Sequence, residues 1–275
     1  MITYRKLGKL GRLGNQLFEV AGTTLYAQHF GFRAAFPHWI GCDVFKNMRA
    51  YTAWERLVSR ILPTRQLVDM KSHPWWKPTR LWTLQELYDR GEDNINFYGY
   101  LQDPLSFELL QKFKSDILKL FSFTDEIETA YKNAVRQYEP YIALHLRRGD
   151  FVRLGYALPS EFYHNILQKI CNGRKIYVSS DDPNIQNELS NLKLETFKLD
   201  NPLPHVPGFM FDFWVIKNAQ TVVGCGSTFS WWAAYLGNKN DYWSPPLTHL
   251  WPATSRRSHR WPKHEKNPSI SKINL

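Results

Sequence analysis

Between residues 139 and 237, short apolar runs alternate with segments of helical spacing, and this alternation restricts the chain more than any other feature. Tyr141-Ile142-Ala143-Leu144-His145-Leu146, Lys175-Ile176-Tyr177-Val178-Ser179, Glu195-Thr196-Phe197-Lys198-Leu199 and Thr221-Val222-Val223-Gly224 read as strands. Ser160 to Ile170, Asn184 to Leu189, Phe211 to Ala219 and Trp231 to Leu236 read as helices, two of them closed by Gly173 and Gly237. Such an order predicts a parallel sheet covered on both faces, with its ligand crevice at the carboxyl ends of the strands. Three runs end in polar clusters: His145 to Asp150, Ser179 to Asp182, and Gly226 to Ser230. In a parallel sheet those clusters share one rim.

The residue types at that rim suit a nucleoside diphosphate. Arg147 and Arg148 point to opposite sides if strand geometry persists, so one can face a ligand while the other braces the site. Gly149 permits a tight turn, and Asp150 can hold one guanidinium fork to fork. Ser227, Thr228 and Phe229 open a helix whose N–H groups and hydroxyls suit phosphate oxygens. Asp181 or Asp182 can accept both N1–H and N2–H of a guanine. Each cluster alone also has a plainer reading, as a solvated ion cluster, a capped turn or an Asp-Pro turn. No Asp-x-Asp occurs, so no metal is expected, and arginine with helix N-termini would neutralise a leaving diphosphate instead.

The first half is less regular. Gly11-Arg12-Leu13-Gly14-Asn15-Gln16-Leu17-Phe18 is a glycine-rich turn opening a helix that Gly31 stops, and its spacing is not the dinucleotide fingerprint. Phe32 to Phe36 and Asn96 to Gln102 read as strands, Ser106 to Lys119 and Glu126 to Gln137 as helices, and residues 37–77 as loops around short elements. The expected domains are 1–138 and 139–275.

A formal charge of +10 implies a partly anionic partner. The densest basic cluster lies in the tail Trp251 to Lys266, and nothing outside it supports nucleic-acid binding. That tail either packs back on the first domain or touches an anionic bilayer peripherally. The three cysteines are widely spaced and form no framework, and no run approaches the roughly 20 apolar residues of a membrane span, so a cytoplasmic protein is expected.

Four motifs, Gly11 to Phe18, His145 to Asp150, Tyr177 to Asp182 and Gly226 to Ala234, resemble in the same order those of the α-1,2-fucosyltransferases of glycosyltransferase family 11. The resemblance implies a GT-B-like α/β architecture of two Rossmann-like domains facing across a cleft, with GDP-fucose bound mainly by the second. It also implies an inverting, metal-independent transfer of fucose from GDP-β-L-fucose to the 2-hydroxyl of a terminal galactose in a glycan acceptor. By motif position Arg147 contacts the β-phosphate, His145 and one of Asp181 or Asp182 the guanosine, Ser227, Thr228 and Phe229 the diphosphate, and Asn15 the fucose. Arg148 and Asp150 brace the clamp. Asp150 and Glu19 are the candidate bases, with Asp150 ranked first. The same fold with another donor sugar or acceptor position is the alternative.

Overall fold

In the computed structural model the chain divides into two compact units, Met1–Thr124 and a second beginning at Asp125. The structure describes residues 1–68, 80–185, 189, 194–239 and 241–245, and the strand backbone of 271–273. The expected helix Asn184 to Leu189 lies mostly, and the tail Trp251 to Lys266 wholly, outside these residues.

In the first unit β1 (Ile2–Thr3), β2 (Ala34–Ala35), β3 (Thr64–Gln66) and β4 (Ile95–Tyr98) form a parallel sheet in the order β2-β1-β4-β3. The chain leaves β1 for one side and returns on the other, so strand order reverses between β1 and β4. At that point the Tyr4 hydroxyl donates to the Gly99 carbonyl (2.8 Å) and accepts from the Gly99 N–H (3.1 Å). Helix Leu13–His29 links β1 to β2 and buries Leu17, Val20 and Ala21 together with Glu19 and Thr23. Its glycine stop is as expected, since Gly31 adopts φ +69° and Phe32 returns its N–H to the Ala27 carbonyl at 2.7 Å.

The expected helix Ser106 to Lys119 is instead two, Pro104–Lys112 and Lys114–Leu120, broken at Phe113 (φ −110°, ψ 32°). Asp103 caps the first by accepting the Ser106 N–H at 2.9 Å, and after the break Ile117 and Phe121 are buried, Phe121 edge-on to Phe45 at 5.3 Å between ring centroids. Apolar spacing survives such a one-residue break, so the stripe does not reveal it. The unassigned stretch contains helix Ala53–Ser59, entered through a capping box of Thr52 and Glu55. Glu55 is fully buried, accepts two Arg49 bonds of 2.8 Å and pairs with Arg33. The Arg49 bonds hold its carboxyl down at about 2.

In the second unit β5 (Ile142–Leu146), β6 (Ile176–Ser180), β7 (Thr196–Phe197), β8 (Thr221–Val223), β9 (Tyr242–Ser244) and β10 (Ser271–Ile273) form a sheet in the order β10-β9-β8-β5-β6-β7. All pairings are parallel except β10 on β9. The alternation read from the sequence is therefore present, with the expected strand Glu195 to Leu199 reduced to two residues. Helix Gly208–Asn218 is apolar nearly all round and buries Met210, Phe211, Phe213, Trp214, Val215 and Ile216, as a helix inside the core must. Helix Asp125–Val135 packs on it: Tyr131 lies 4.7 Å from Phe211 between ring centroids, and the Trp214 indole donates to Glu128 at 2.9 Å. Those contacts group residues from Asp125 onward with the second sheet, earlier than the expected boundary at 138.

Candidate functional site

β5 is the hub of the second sheet. The chain passes from β5 to β6 and β7 on one side, then returns to β8 on the other, so the order reverses between β5 and β8. The carboxyl ends of those two strands are where an open parallel sheet binds ligands. Arg147 follows one and Cys225 to Thr228 the other, and they meet directly: the Arg147 N–H donates to the Cys225 sulfur at 3.3 Å.

The two arginines have different partners. Arg147 donates from Nε and Nη2 to the two Asp150 oxygens at 2.7 and 2.9 Å, a fork-to-fork pair, and its guanidinium carbon stands 5.4 Å over the Phe151 ring. Its Nη1 has no hydrogen-bond partner among the described residues, and the side chain is 14% exposed. Arg148 is spent on the scaffold, donating to the Leu158 carbonyl at 2.6 Å and the Ser160 hydroxyl at 2.7 Å. Asp150 has both carboxylate oxygens engaged by Arg147, an arrangement suited to bracing rather than to proton abstraction.

The two aspartates also differ. Asp181 Oδ1 accepts the Arg148 N–H at 2.7 Å and the Gly149 N–H at 3.2 Å, tying the end of β6 to the turn after β5. A Cβ on Gly149 would stand 2.8 Å from Asp181 Oδ2, so glycine is required for the carboxylate to approach. Among the described residues the Asp182 side chain accepts only the Asn184 N–H, at 2.9 Å, an Asx turn.

Ser227 is the helix cap that the plainer reading expected: buried, its hydroxyl accepts the Phe229 N–H at 3.3 Å at the start of helix Thr228–Leu236. Thr228 and Phe229 are half-buried, and the Phe229 ring lies 5.1 Å from the His145 ring. His145 also meets Cys225, with Nδ1 3.7 Å from the sulfur. Burial, helped by the charge of Arg147, lowers its pKa to about 3, so the ring is neutral. Burial likewise raises the Cys225 thiol to about 11. Asn15 stands in the first unit, where its Oδ1 accepts from Gln102 at 3.0 Å and its side chain occupies the space that a Cβ on Gly11 would need. Glu19, in the same helix, is fully buried. Among the described residues no group of three or more His, Cys, Asp and Glu side chains is placed to hold a metal, and no helix is long and apolar enough to cross a membrane.

Sequence reasoning missed Asp212. It is mostly buried on helix Gly208–Asn218 and accepts from the Tyr177 hydroxyl at 2.5 Å and the Ser179 hydroxyl at 3.0 Å, and burial raises its pKa. Ser179 pairs in register with His145, and Phe213 packs edge-on to Phe229, so this network lies beneath the rim. Its one available signal was a single carboxylate inside an otherwise apolar helix.

The neutral His145 has a consequence for stability. Its folded pKa lies below the unfolded value of about 6.5, so the unfolded chain takes up a proton that the folded one refuses as pH falls. The group's contribution is complete above pH 6.5 and declines toward about 3. We expect urea unfolding to show about 2 kcal/mol lost from this source between pH 7 and pH 5. A His145→Gln variant should lack that share, and parallel profiles for the two proteins would contradict the assignment.

Two sheets, parallel throughout except for the edge strand β10, each with its strand order reversing beside a polar turn, define a GT-B-like α/β fold. Crystal structures of fucosyltransferases match it over most of its length. The NodZ alpha-1,6-fucosyltransferase soaked with GDP-fucose aligns at a TM-score of 0.58 and 15% identity, covering 90% of this chain and 94% of its own. The fucosyltransferase NodZ from Bradyrhizobium gives 0.56 at 15% identity, over 90% and 96%. POFUT1 in complex with GDP-fucose gives 0.52 at 15% identity, over 86% and 94%. At this identity the likeness is one of fold. No protein-family model matches the sequence, and no curated protein does.

Proposed function

We propose that the chain is an inverting α-1,2-fucosyltransferase that moves L-fucose from GDP-β-L-fucose to the 2-hydroxyl of a terminal galactose. The observation that carries this reading is Arg147 at the β5/β8 switch point: a guanidinium held on one edge by Asp150, with Nη1 left for a ligand. The helix start at Thr228 beside it supports the same use. The fold shared with proteins crystallised with GDP-fucose supports the donor, and the order of the four motifs supports the α-1,2 linkage.

In this reading the acceptor oxygen attacks the anomeric carbon of fucose as the bond from that carbon to the diphosphate breaks on the opposite face, and the acceptor hydroxyl's proton passes to water, with little base assistance from the protein. Negative charge grows on the departing diphosphate, where Arg147 and the N–H groups at the helix start stabilise it more in the transition state than in the ground state. Asp181, rather than Asp182, receives the guanine, and neutral His145 lines the nucleoside site. Asp150 acts as the brace of Arg147, and Asn15 contributes to the fucose from the first unit. The reading is tested by incubating the protein with GDP-fucose and a β-galactoside and assigning the product by NMR. An α-linked fucose on the galactose 2-hydroxyl is expected; fucose on a 6-hydroxyl or on a peptide alone would overturn the linkage.

A further inference from the structure

Helix Ala53–Ser59 presents an uncovered apolar face. Trp54, Leu57 and Ile61 are 63%, 64% and 81% exposed, and their i, i+3, i+7 spacing puts them on one side. Ile61 belongs to the turn that continues the helix, its N–H bonded to the Val58 carbonyl at 3.1 Å. Arg56 and Arg60 are exposed on the adjoining outward arc, and neither guanidinium has a partner among the described residues.

The inner face of the same helix is pinned. Glu55 is locked by Arg49 and Arg33, and Arg5 donates to the carbonyls of Ser59 (2.8 Å) and Arg60 (3.0 Å) at the helix end. Val58 packs on Met1, Ala35 and Leu62. A helix of seven residues would not persist alone. Here the fold holds it rigidly while three large apolar side chains remain in water.

We propose that this face docks on an anionic bilayer. An indole at the interface, Leu57 and Ile61 in the acyl boundary and two arginines at headgroup level are the arrangement of an interfacial helix. Arg56, Arg60 and the net charge of +10 complement anionic lipid and steer the approach. A second copy of the chain fits less well. A two-fold contact would set the arginine pairs against each other, and three apolar side chains are few beside the roughly 20–30 residues a side of a stable interface. The inference does not depend on the donor assignment.

Sedimentation of the full chain with vesicles tests it, using phosphatidylcholine alone and phosphatidylcholine with phosphatidylglycerol. Two variants are compared, Trp54→Ser/Leu57→Ser/Ile61→Ser and Arg56→Gln/Arg60→Gln, each checked for an unchanged melting temperature and, by analytical ultracentrifugation, for mass in solution. Wild type is expected to bind the anionic vesicles in a salt-sensitive manner and to ignore the neutral ones. Each variant should partition about tenfold more weakly, and the arginine variant should lose most of the salt dependence. Undiminished binding by the triple variant would place any bilayer contact elsewhere, the tail Trp251 to Lys266 included, and would overturn the proposal. So would a wild type that fails to bind anionic vesicles, or a dimer that only the wild type forms, which would assign the face to a second copy.

Discussion

Replacing Arg147 with alanine is expected to lower kcat/KM for the donor by about 10³-fold, the scale on which preorganised charge at a leaving group acts. Asp150 fixes the guanidinium through Nε and Nη2, so Nη1 needs no reorganisation to meet a phosphate oxygen. The Arg147→Lys variant separates geometry from charge. Lysine keeps a cation but cannot form the fork with Asp150, so it should recover only a small part of the loss. Stability serves as the control, since the Arg147 backbone N–H that bonds Cys225 is retained in both variants. A loss below tenfold in a folded Arg147→Ala protein would remove the diphosphate from this strand end.

The second large effect separates two adjacent carboxylates. Asp181→Ala should weaken GDP binding about a hundredfold, because it removes the acceptor of the Arg148 and Gly149 N–H groups as well as the proposed guanine partner. Asp182→Ala should change it by less than about threefold, since that side chain closes a local turn. Gly149→Ala probes the same contact from the other side, as its Cβ would displace Asp181 without removing any charge. Calorimetric titration of GDP into the three variants reads these differences. Equal losses for Asp181→Ala and Asp182→Ala would mean that the turn acts as a whole and that neither carboxylate recognises the base.

The second sheet was legible because its strands are short apolar runs that end abruptly in polar clusters, charged after β5 and β6 and hydroxyl-bearing after β8. β1 is two residues long, too short for any period to register, and is held by pairing partners distant in sequence, one of them β2 inside the expected strand Phe32 to Phe36. The break at Phe113 was invisible for the opposite reason, because the apolar stripe runs through it unchanged. At the rim, alternation said that Arg147 and Arg148 diverge, but not which would face a ligand. Which of the two is tied to the scaffold rests on Leu158, Ser160 and Asp150, whose positions depend on how the following turn folds back. The different partners of Asp181 and Asp182 likewise depend on the turn after β5 reaching the end of β6, a contact between segments more than 30 residues apart. Cys225 read as an isolated thiol and proves to be the point where the two loops touch.

The central claim is that a guanine diphosphate binds at the carboxyl ends of β5 and β8. Calorimetric titration of the purified protein with GDP, GDP-fucose and UDP-galactose in EDTA, repeated on Arg147→Ala, tests it most directly. The account predicts binding of both guanine nucleotides, none of UDP-galactose, and loss of binding in the variant. Equal affinity for UDP-galactose, or undiminished GDP binding by Arg147→Ala, would contradict it.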